Sequence, residues 1–140
     1  MALSIKIVKT DGDHKECLSI REKVFVIEQN ISKELEMDDH LIDAVHVLAF
    51  VDQKPVGTAR YKSTNFGVKL ERFAVLKEHR SFGIGKELVD FILNHLSDQD
   101  LIYLHAQEQV ITFYNKLGFD PVGKIFFEAE IAHQKMIYSG

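Results

Sequence analysis

Three absences narrow what this chain of 140 residues can be. The single cysteine, Cys17, excludes an internal disulfide framework. No apolar run is long enough to form a transmembrane helix, and the N-terminus lacks the apolar core of a signal peptide. Positive charge is not in excess, since the formal net charge is -4, whereas proteins that bind a phosphate backbone usually show a basic face. We therefore expect no membrane insertion and no nucleic acid partner, and these features favour the cytoplasm.

The composition also sets expectations for domains and metals. The seven histidines are scattered without metal-ligand spacing, so we predict no metal site. No repeat, low-complexity segment or linker interrupts the chain, and its length suits a single domain over residues 1–140. Contents of 46% apolar and 27% charged residues are ordinary for a globular protein.

Hydrophobic periodicity predicts the order β, α, loop, β, β, β, α, β, α, β, β. In the first helix, over residues 14–28, Cys17, Ile20, Val24 and Ile27 recur at offsets of three and four, and Asp13 is the expected N-cap. Strands are predicted at 3–8, 46–51, 56–63, 68–75, 101–106, 119–129 and 131–138. Two further helices are predicted at 83–96 and 110–117. Strands mixed with helices on both faces indicate an α/β or α+β sandwich.

The most informative segment is the strand ending at Val75 and the loop Arg80-Ser81-Phe82-Gly83-Ile84-Gly85 that opens the next helix. A helix N-terminus leaves backbone N–H groups available to an anion, and glycines let the backbone approach a bulky phosphate. Arg80 and Lys86 flank the glycines and could add charge. Glu71, a carboxylate, lies on the preceding strand. The pattern predicts a phosphorylated cofactor that delivers a group to a nucleophile.

Two motifs at this spacing carry a family resemblance. Arg80 to Gly85, after Glu71 to Val75, resembles the acetyl-CoA motif Arg/Gln-x-x-Gly-x-Gly/Ala of the GNAT superfamily of N-acetyltransferases. Phe113-Tyr114-Asn115-Lys116-Leu117-Gly118-Phe119, after Ala106-Gln107, is similar to the Phe-Tyr-x-x-x-Gly-Phe ending of that superfamily. The segment from Arg21 to Gln29, with a late Ile131-Ala132-His133, is similar to its ElaA/YjcF-like branch. The resemblance covers nearly the whole chain.

The resemblance implies a fold and a cofactor. The fold would be a mixed, mostly antiparallel central sheet, splayed between strands 4 and 5, with helices on both faces. The cofactor would be acetyl-CoA or coenzyme A. Its implied binding residues are Phe73, Ala74 and Val75 through their backbone, Arg80, Ser81, Phe82, Gly83, Ile84, Gly85 and Lys86 around the diphosphate, and Gln107 and Tyr114 near the pantetheine and sulfur.

The resemblance also suggests catalytic roles. An amine must lose a proton to attack a thioester, because an alkylammonium titrates near about 10.4. Glu71 is the expected base, with His133 and His46 as alternatives, since histidine suits proton transfer near neutral pH. Tyr114 would protonate or hydrogen-bond the departing sulfur. Each of these residues could instead be structural: a solvated carboxylate, a strand histidine or a core aromatic.

The acceptor site is less well indicated. Arg21, Glu28 and Glu71 are candidate substrate-binding residues. The acidic segment with Glu34, Glu36, Asp38, Asp39 and Asp43 could form a negative wall that attracts a cationic amine, or it could be a solvated loop.

Together these patterns predict an acetyl-CoA-dependent N-acetyltransferase. It would transfer the acetyl group by direct attack in a ternary complex to a primary amine of a small molecule, amino acid or peptide. The alternative is a catalytically weak CoA-binding sensor or interaction domain, and transfer of a longer acyl chain is a third option. The resemblance also leaves a homodimer open.

Overall fold

The computed structural model describes residues 2–36 and 44–140. Its strands are Leu3–Ile7 (β1), Val45–Val51 (β2), Lys54–Ser63 (β3), Val68–Val75 (β4), Ile102–Gln107 (β5), Phe119–Glu128 (β6) and Ile131–Tyr138 (β7). Its α-helices are Asp11–Arg21 (α1), Lys33–Glu36 (α2), Ile84–Leu93 (α3) and Ile111–Lys116 (α4). A π-helical segment, Glu22–Glu28, continues α1, and short 3₁₀ turns cover Lys77–His79 and Glu108–Val110.

The strands form one mixed sheet in the order β1-β2-β3-β4-β5-β7-β6. Every neighbouring pair is antiparallel except β4 and β5, which run parallel on either side of the α3 crossover. The predicted mixed, mostly antiparallel sheet is thereby confirmed.

Helices pack on both faces of the sheet, each over its own apolar cluster. On one face, α3 buries Ile84, Leu88, Val89 and Ile92 against inward side chains of β2 to β5. On the other, α1 and the π-helical segment bury Cys17, Ile20, Val24 and Phe25 against Leu48 and Ala74. Full burial of such a side chain stabilises the fold by about 1.5–3 kcal/mol. These two clusters fix β4 from both sides.

The first helix differs from its prediction at both ends. It begins at Asp11, so Thr10 rather than Asp13 is the N-cap, and the Thr10 Oγ1 accepts a hydrogen bond from the Asp13 backbone N–H at 3.1 Å. Regular α-helix ends at Arg21, after which the chain widens into the π-helical segment. The apolar spacing continues through both, which is why the sequence pattern did not mark the change. π-Helical turns are rare and occur frequently at functional sites.

The turn between β2 and β3 is shorter than predicted. It contains only Asp52 and Gln53, both with positive φ (50° and 71°), as a tight two-residue hairpin requires. Pro55 therefore belongs to β3, opposite Phe50, beside a register shift. The predicted acidic loop contains α2, whereas its residues Asp38, Asp39 and Asp43 lie outside the described residues.

Candidate active site

β4 and β5 pair over only three residues of each strand. Their register joins Val68 to Ile102, Lys69 to Tyr103 and Leu70 to Leu104, and goes no further along the described strands. Beyond this point each strand keeps only the partner on its other edge, which is β7 for β5 and β3 for β4. The splay that the resemblance implied is therefore present, and it opens the sheet from Glu71 onward.

A β-bulge lies at the start of this opening. Thr58 faces Ala74 and Arg60 faces Glu71, so the single residue Ala59 lies opposite both Arg72 and Phe73. Arg72 has φ 59°, a left-handed conformation unusual for a side chain of this size. A bulge leaves backbone groups outside the ladder. The bulge therefore lies next to the point where β4 separates from β5.

The glycine loop after β4 has the geometry of an anion site. Gly83 is the N-cap of α3 and has φ 80°, which favours glycine, and Ser81 has φ 70°. Within the described chain, no side chain caps the first turn of α3. The N–H groups of Ile84, Gly85 and Lys86 therefore face outward where the helix dipole favours negative charge. Phe82 is exposed beside them.

The charged residues of this loop already have partners. The Arg80 guanidinium forms a bidentate ion pair with Glu28, with Nη2 to Oε1 at 2.7 Å, and its Nε donates to the Val75 carbonyl at 2.9 Å. Glu28, expected at the acceptor site, thus ties the π-helical segment to the glycine loop instead. Lys86 pairs with Asp90 at 2.7 Å on the exposed face of α3.

A cleft of about 380 Å³ occupies the opening between β4 and β5. Candidates from four parts of the sequence meet in it: Glu71 and Phe73 from β4, Gln107 from β5, Tyr114 from α4 and His133 from β7. The π-helical segment and the residues after it contribute Phe25, Gln29 and Ile31 to its wall. This volume suits a small molecule.

Glu71 is the most strongly perturbed acid of the cleft. Its side chain is 9% exposed and lies 2.6 Å from Arg60 Nη2, with Lys69 Nζ at 3.4 Å and Lys62 Nζ at 3.6 Å. Burial raises the pKa of this carboxyl, but the charges of Arg60, Lys69, Arg72 and Lys62 outweigh that effect and lower the pKa to about 2. Glu71 is therefore a stable anion, and its tendency to accept a proton is small.

His133 presents one ring nitrogen as a proton acceptor. Its Nδ1 lies 2.7 Å from the Ile131 carbonyl oxygen, which can only accept, so Nδ1 carries the hydrogen. In the neutral ring, Nε2 is then the basic nitrogen, 4.0 Å from Glu128 Oε1. The ring is nearly buried and stacks on Phe126.

Tyr114 lies at the floor of the cleft. Its ring contacts Phe73, Phe113 and Phe119 in edge-to-face geometry, at centroid distances of 5.9, 5.0 and 6.0 Å. Burial raises the pKa of the Tyr114 phenol, so the hydroxyl stays protonated and can donate.

Two other candidates lie elsewhere. His46 packs edge-on against His14, with ring centroids 4.8 Å apart, and it is not among the described residues that line the cleft. Arg21 is buried at the end of α1 and is also absent from that lining. The expectation that Arg21 shapes the acceptor site therefore finds no support in the geometry.

Gln107 belongs to a chain of amides. Its Nε2 donates to Gln29 Oε1 at 2.9 Å, and its Oε1 accepts from Gln109 at 2.6 Å. These bonds link β5 to the residue that follows the π-helical segment, so they fix one side of the cleft entrance.

Five polar residues of the cleft were not predicted as site residues: Gln29, Lys69, Arg72, His105 and Glu128. Glu128 Oε1 lies 3.3 Å from His105 Nδ1, and this hydrogen bond lowers the pKa of Glu128. Strand periodicity contained a signal for two of them. Lys69 lies two residues before Glu71, and His105 lies two residues before Gln107, so each shares a face of its strand with a predicted site residue. What the sequence does not show is that β5 lies beside both β4 and β7.

The described residues contain no group of three or more His, Cys, Asp or Glu side chains that could hold a metal ion. None of the helices in the described part of the chain is long and apolar enough to cross a membrane.

Comparison with known proteins identifies the family. Residues 14–139 match the family model described as acetyltransferase (GNAT) domain. An uncharacterized N-acetyltransferase, YjcF of Bacillus subtilis, is 35% identical over 94% of this chain and 96% of its own length. Protein ElaA of Escherichia coli is 30% identical over 83% of this chain and 80% of its own length.

Solved structures agree with this assignment. The crystal structure of Escherichia coli ElaA superposes with a TM-score of 0.86, covering 99% of this chain and 100% of ElaA at 25% identity. An aminoglycoside 6'-N-acetyltransferase, solved in complex with coenzyme A, shares the fold with a TM-score of 0.76, covering 98% of this chain and 96% of its own at 15% identity. With the splayed strands and the glycine loop, the matches to YjcF and ElaA establish that this chain belongs to the GNAT acetyltransferase family, in its ElaA/YjcF-like branch.

Proposed function

We propose that the protein transfers an acetyl group from acetyl-CoA to the primary amine of a small molecule or peptide, by direct attack within a ternary complex. The observation that carries this proposal is the half-paired strand β4. It pairs with β5 from Val68 to Leu70, then bulges and separates beside a cleft that contains acid, base and phenol groups.

The cofactor proposal depends on three neighbouring features of the structure, one for each part of the cofactor. The uncapped N-terminus of α3 would bind the diphosphate through its N–H groups. The opening between β4 and β5 would receive the pantetheine arm. A backbone N–H at Phe73, released from the ladder by the bulge, would donate to the thioester oxygen and stabilise the negative charge that develops there.

The chemistry then needs one bond made and one broken. The neutral amine attacks the thioester carbonyl, a C–N bond forms and the C–S bond breaks. The nitrogen loses a proton to a base, and the sulfur gains one from the Tyr114 hydroxyl, which regains a proton from the base through solvent. Because burial raises the pKa of the Tyr114 phenol, the hydroxyl is protonated when the thiolate departs. The same rise makes the phenol a weaker acid, so its hydrogen bond to the sulfur comes before full proton transfer.

For the base we propose His133 rather than Glu71. A carboxyl whose pKa is lowered to about 2 by its cationic neighbours has little affinity for the amine proton. The Nε2 of His133 has a lone pair in the neutral ring and lies in the same cleft. Glu71 then acts as a fixed anion that holds Arg60, Lys62 and Lys69 in place.

The test combines binding with turnover. Calorimetry should detect acetyl-CoA binding, and release of the CoA thiol should depend on an amine from a broad panel. His133→Gln should lower turnover about 100-fold or more without weakening acetyl-CoA binding. The exposed His95, at the end of α3, provides the control variant His95→Gln, which should behave as the wild type.

Two outcomes would contradict the proposal. Absence of acetyl-CoA binding would remove the cofactor assignment. Tight binding without thiol release over the whole panel would favour the alternative, a CoA-binding sensor domain. Unchanged turnover in His133→Gln would instead remove only the assignment of the base.

A further inference from the structure

Two phenylalanine rings lie beside the first turn of α3 and are open to solvent. Phe82, the residue before the N-cap Gly83, is 60% exposed, and Phe113 of α4 is 38% exposed. Single exposed apolar side chains are common, so exposure alone carries no conclusion. These two rings, however, lie at the same uncapped helix end, where backbone N–H groups face outward. Their shared position indicates a surface for a ligand that has both a flat ring and a negative charge.

The geometry at two glycines places Phe113 against this helix end and shows open space beside Phe82. A Cβ atom built on Gly85 would meet Phe113 Cζ at 3.4 Å, so the edge of that ring contacts the first turn of α3. Apart from its chain neighbours, a Cβ atom on Gly83 would meet no atom of the described residues within 4 Å. The surface over Gly83 is therefore open to a ligand, and Phe82 directly precedes it in the chain.

The charged side chains of the loop are already paired. Arg80 binds Glu28, and Lys86 binds Asp90. The helix end also offers the N–H groups of its first turn and the exposed faces of the two rings. N–H groups bind an anion, and an aromatic face stacks on a planar ring, so the two kinds of group suit a nucleotide.

The shape of the cofactor determines which part of it reaches these rings. Coenzyme A carries its diphosphate between a pantetheine arm and an adenosine unit. The site proposed above places the diphosphate at the N-terminus of α3 and the arm in the opening between β4 and β5, toward Tyr114. The adenosine unit leaves the diphosphate at its other end, away from the cleft, where the glycine loop exposes Phe82.

We propose that the Phe82 ring stacks on the adenine of coenzyme A and that Phe113 borders the same site. The proposal rests on the cofactor binding proposed above and names the side chain that holds the nucleotide end. The motif Arg/Gln-x-x-Gly-x-Gly/Ala leaves the position of Phe82 open, so the motif does not account for an aromatic residue there. Stacking on the adenine does.

The test compares ligands with and without the adenosine unit, so it does not depend on turnover. Coenzyme A and 4'-phosphopantetheine are each titrated calorimetrically into the protein. Phe82→Ala should weaken coenzyme A binding about tenfold or more, because stacking of a base on an aromatic side chain is lost, and should leave phosphopantetheine binding unchanged. Phe82→Tyr keeps an aromatic face and should bind coenzyme A as the wild type does.

NMR of the ligand gives a second measurement. The H2 and H8 signals of the adenine should move upfield when coenzyme A binds the wild type, because the ring current of a stacked phenyl group shields them. Phe82→Leu keeps an apolar side chain without a ring and should abolish this shift. Phe127→Ala, which removes a ring that is 73% exposed on β6, is the matched control and should keep both the affinity and the shift.

Three results would overturn the inference. They are unchanged coenzyme A affinity in Phe82→Ala, an upfield shift that persists in Phe82→Leu, or equal weakening of coenzyme A and phosphopantetheine, which would show that the ring only supports the loop. Failure of the cofactor proposal itself appears separately, as absence of coenzyme A binding by the wild type.

Discussion

The two halves of β4 have different neighbours and different tasks. From Val68 to Leu70 the strand is paired on both sides, and Leu70 is buried in the cluster beneath α3. From Glu71 to Val75 it keeps β3 as a partner but loses β5, and it bulges at Arg72 and Phe73. One end of the strand is therefore held between two neighbouring strands, and the other end is open toward the cleft and the ligand site that we propose there.

The difference shows how rigidity and openness are combined in eight residues. The paired half fixes the position of the strand, while the open half places backbone and charged groups against a cleft. We therefore expect variants beside the paired half, Val68 to Leu70, to lower the free energy of unfolding and to leave turnover unchanged. Variants around the open half, Glu71 to Val75, should lower turnover or ligand affinity.

The largest expected effect is on the chemistry of the open half. Tyr114→Phe keeps the ring that contacts Phe73 but removes the proton donor, so turnover should fall by about 10²–10⁴-fold. Acetyl-CoA affinity and the denaturation midpoint should change little. Steady-state kinetics and chemical unfolding measure both, and a variant with normal turnover would exclude the phenol from sulfur protonation.

The second effect belongs to the paired half. Ile102 faces Val68 across the parallel pair and is 5% exposed. Ile102→Ala should lower the free energy of unfolding by about 2–5 kcal/mol, because the lost methyl and methylene groups leave a cavity. Urea unfolding measures it, and turnover per folded molecule should stay near the wild-type value. A large loss of turnover without a loss of stability would contradict the division.

The sequence predicted the paired half well and the open half in part. The strand 68–75 matched in full, because its apolar pattern and flanking turns are local signals. The role of Glu71 was less visible, since Arg60 and Lys62 come from a neighbouring strand and their approach depends on register. The Glu28–Arg80 pair joins residues 52 positions apart, and no local pattern announces it.

The third effect concerns pH and the stability of the open half. The folded-state pKa of Glu71 is lowered to about 2 from its ordinary value of 4.5, so its ionised form stabilises the fold above pH 4.5 and this contribution is lost as pH falls through 2. The contribution is about 3 kcal/mol. Glu71→Gln should be less stable than the wild type by about that amount at neutral pH, and the difference should shrink toward pH 2. Unfolding curves across that range measure it, and a constant difference would show that packing rather than charge holds this residue.

The smallest effect tests how the end of β4 is joined to the glycine loop. Arg80 binds Glu28 and the Val75 carbonyl, so it could bind the diphosphate directly or merely hold the loop in place. If it binds the diphosphate, Arg80→Gln should weaken coenzyme A binding about tenfold, whereas Glu28→Gln should strengthen it, because the guanidinium no longer has a competing anion. If Arg80 only holds the loop, both variants should weaken binding alike, since each breaks the same ion pair. Calorimetric titration of coenzyme A into the two variants separates these roles, because only direct binding by Arg80 predicts that Glu28→Gln raises the affinity. Equal weakening in both variants would assign diphosphate binding to the N–H groups of α3 alone.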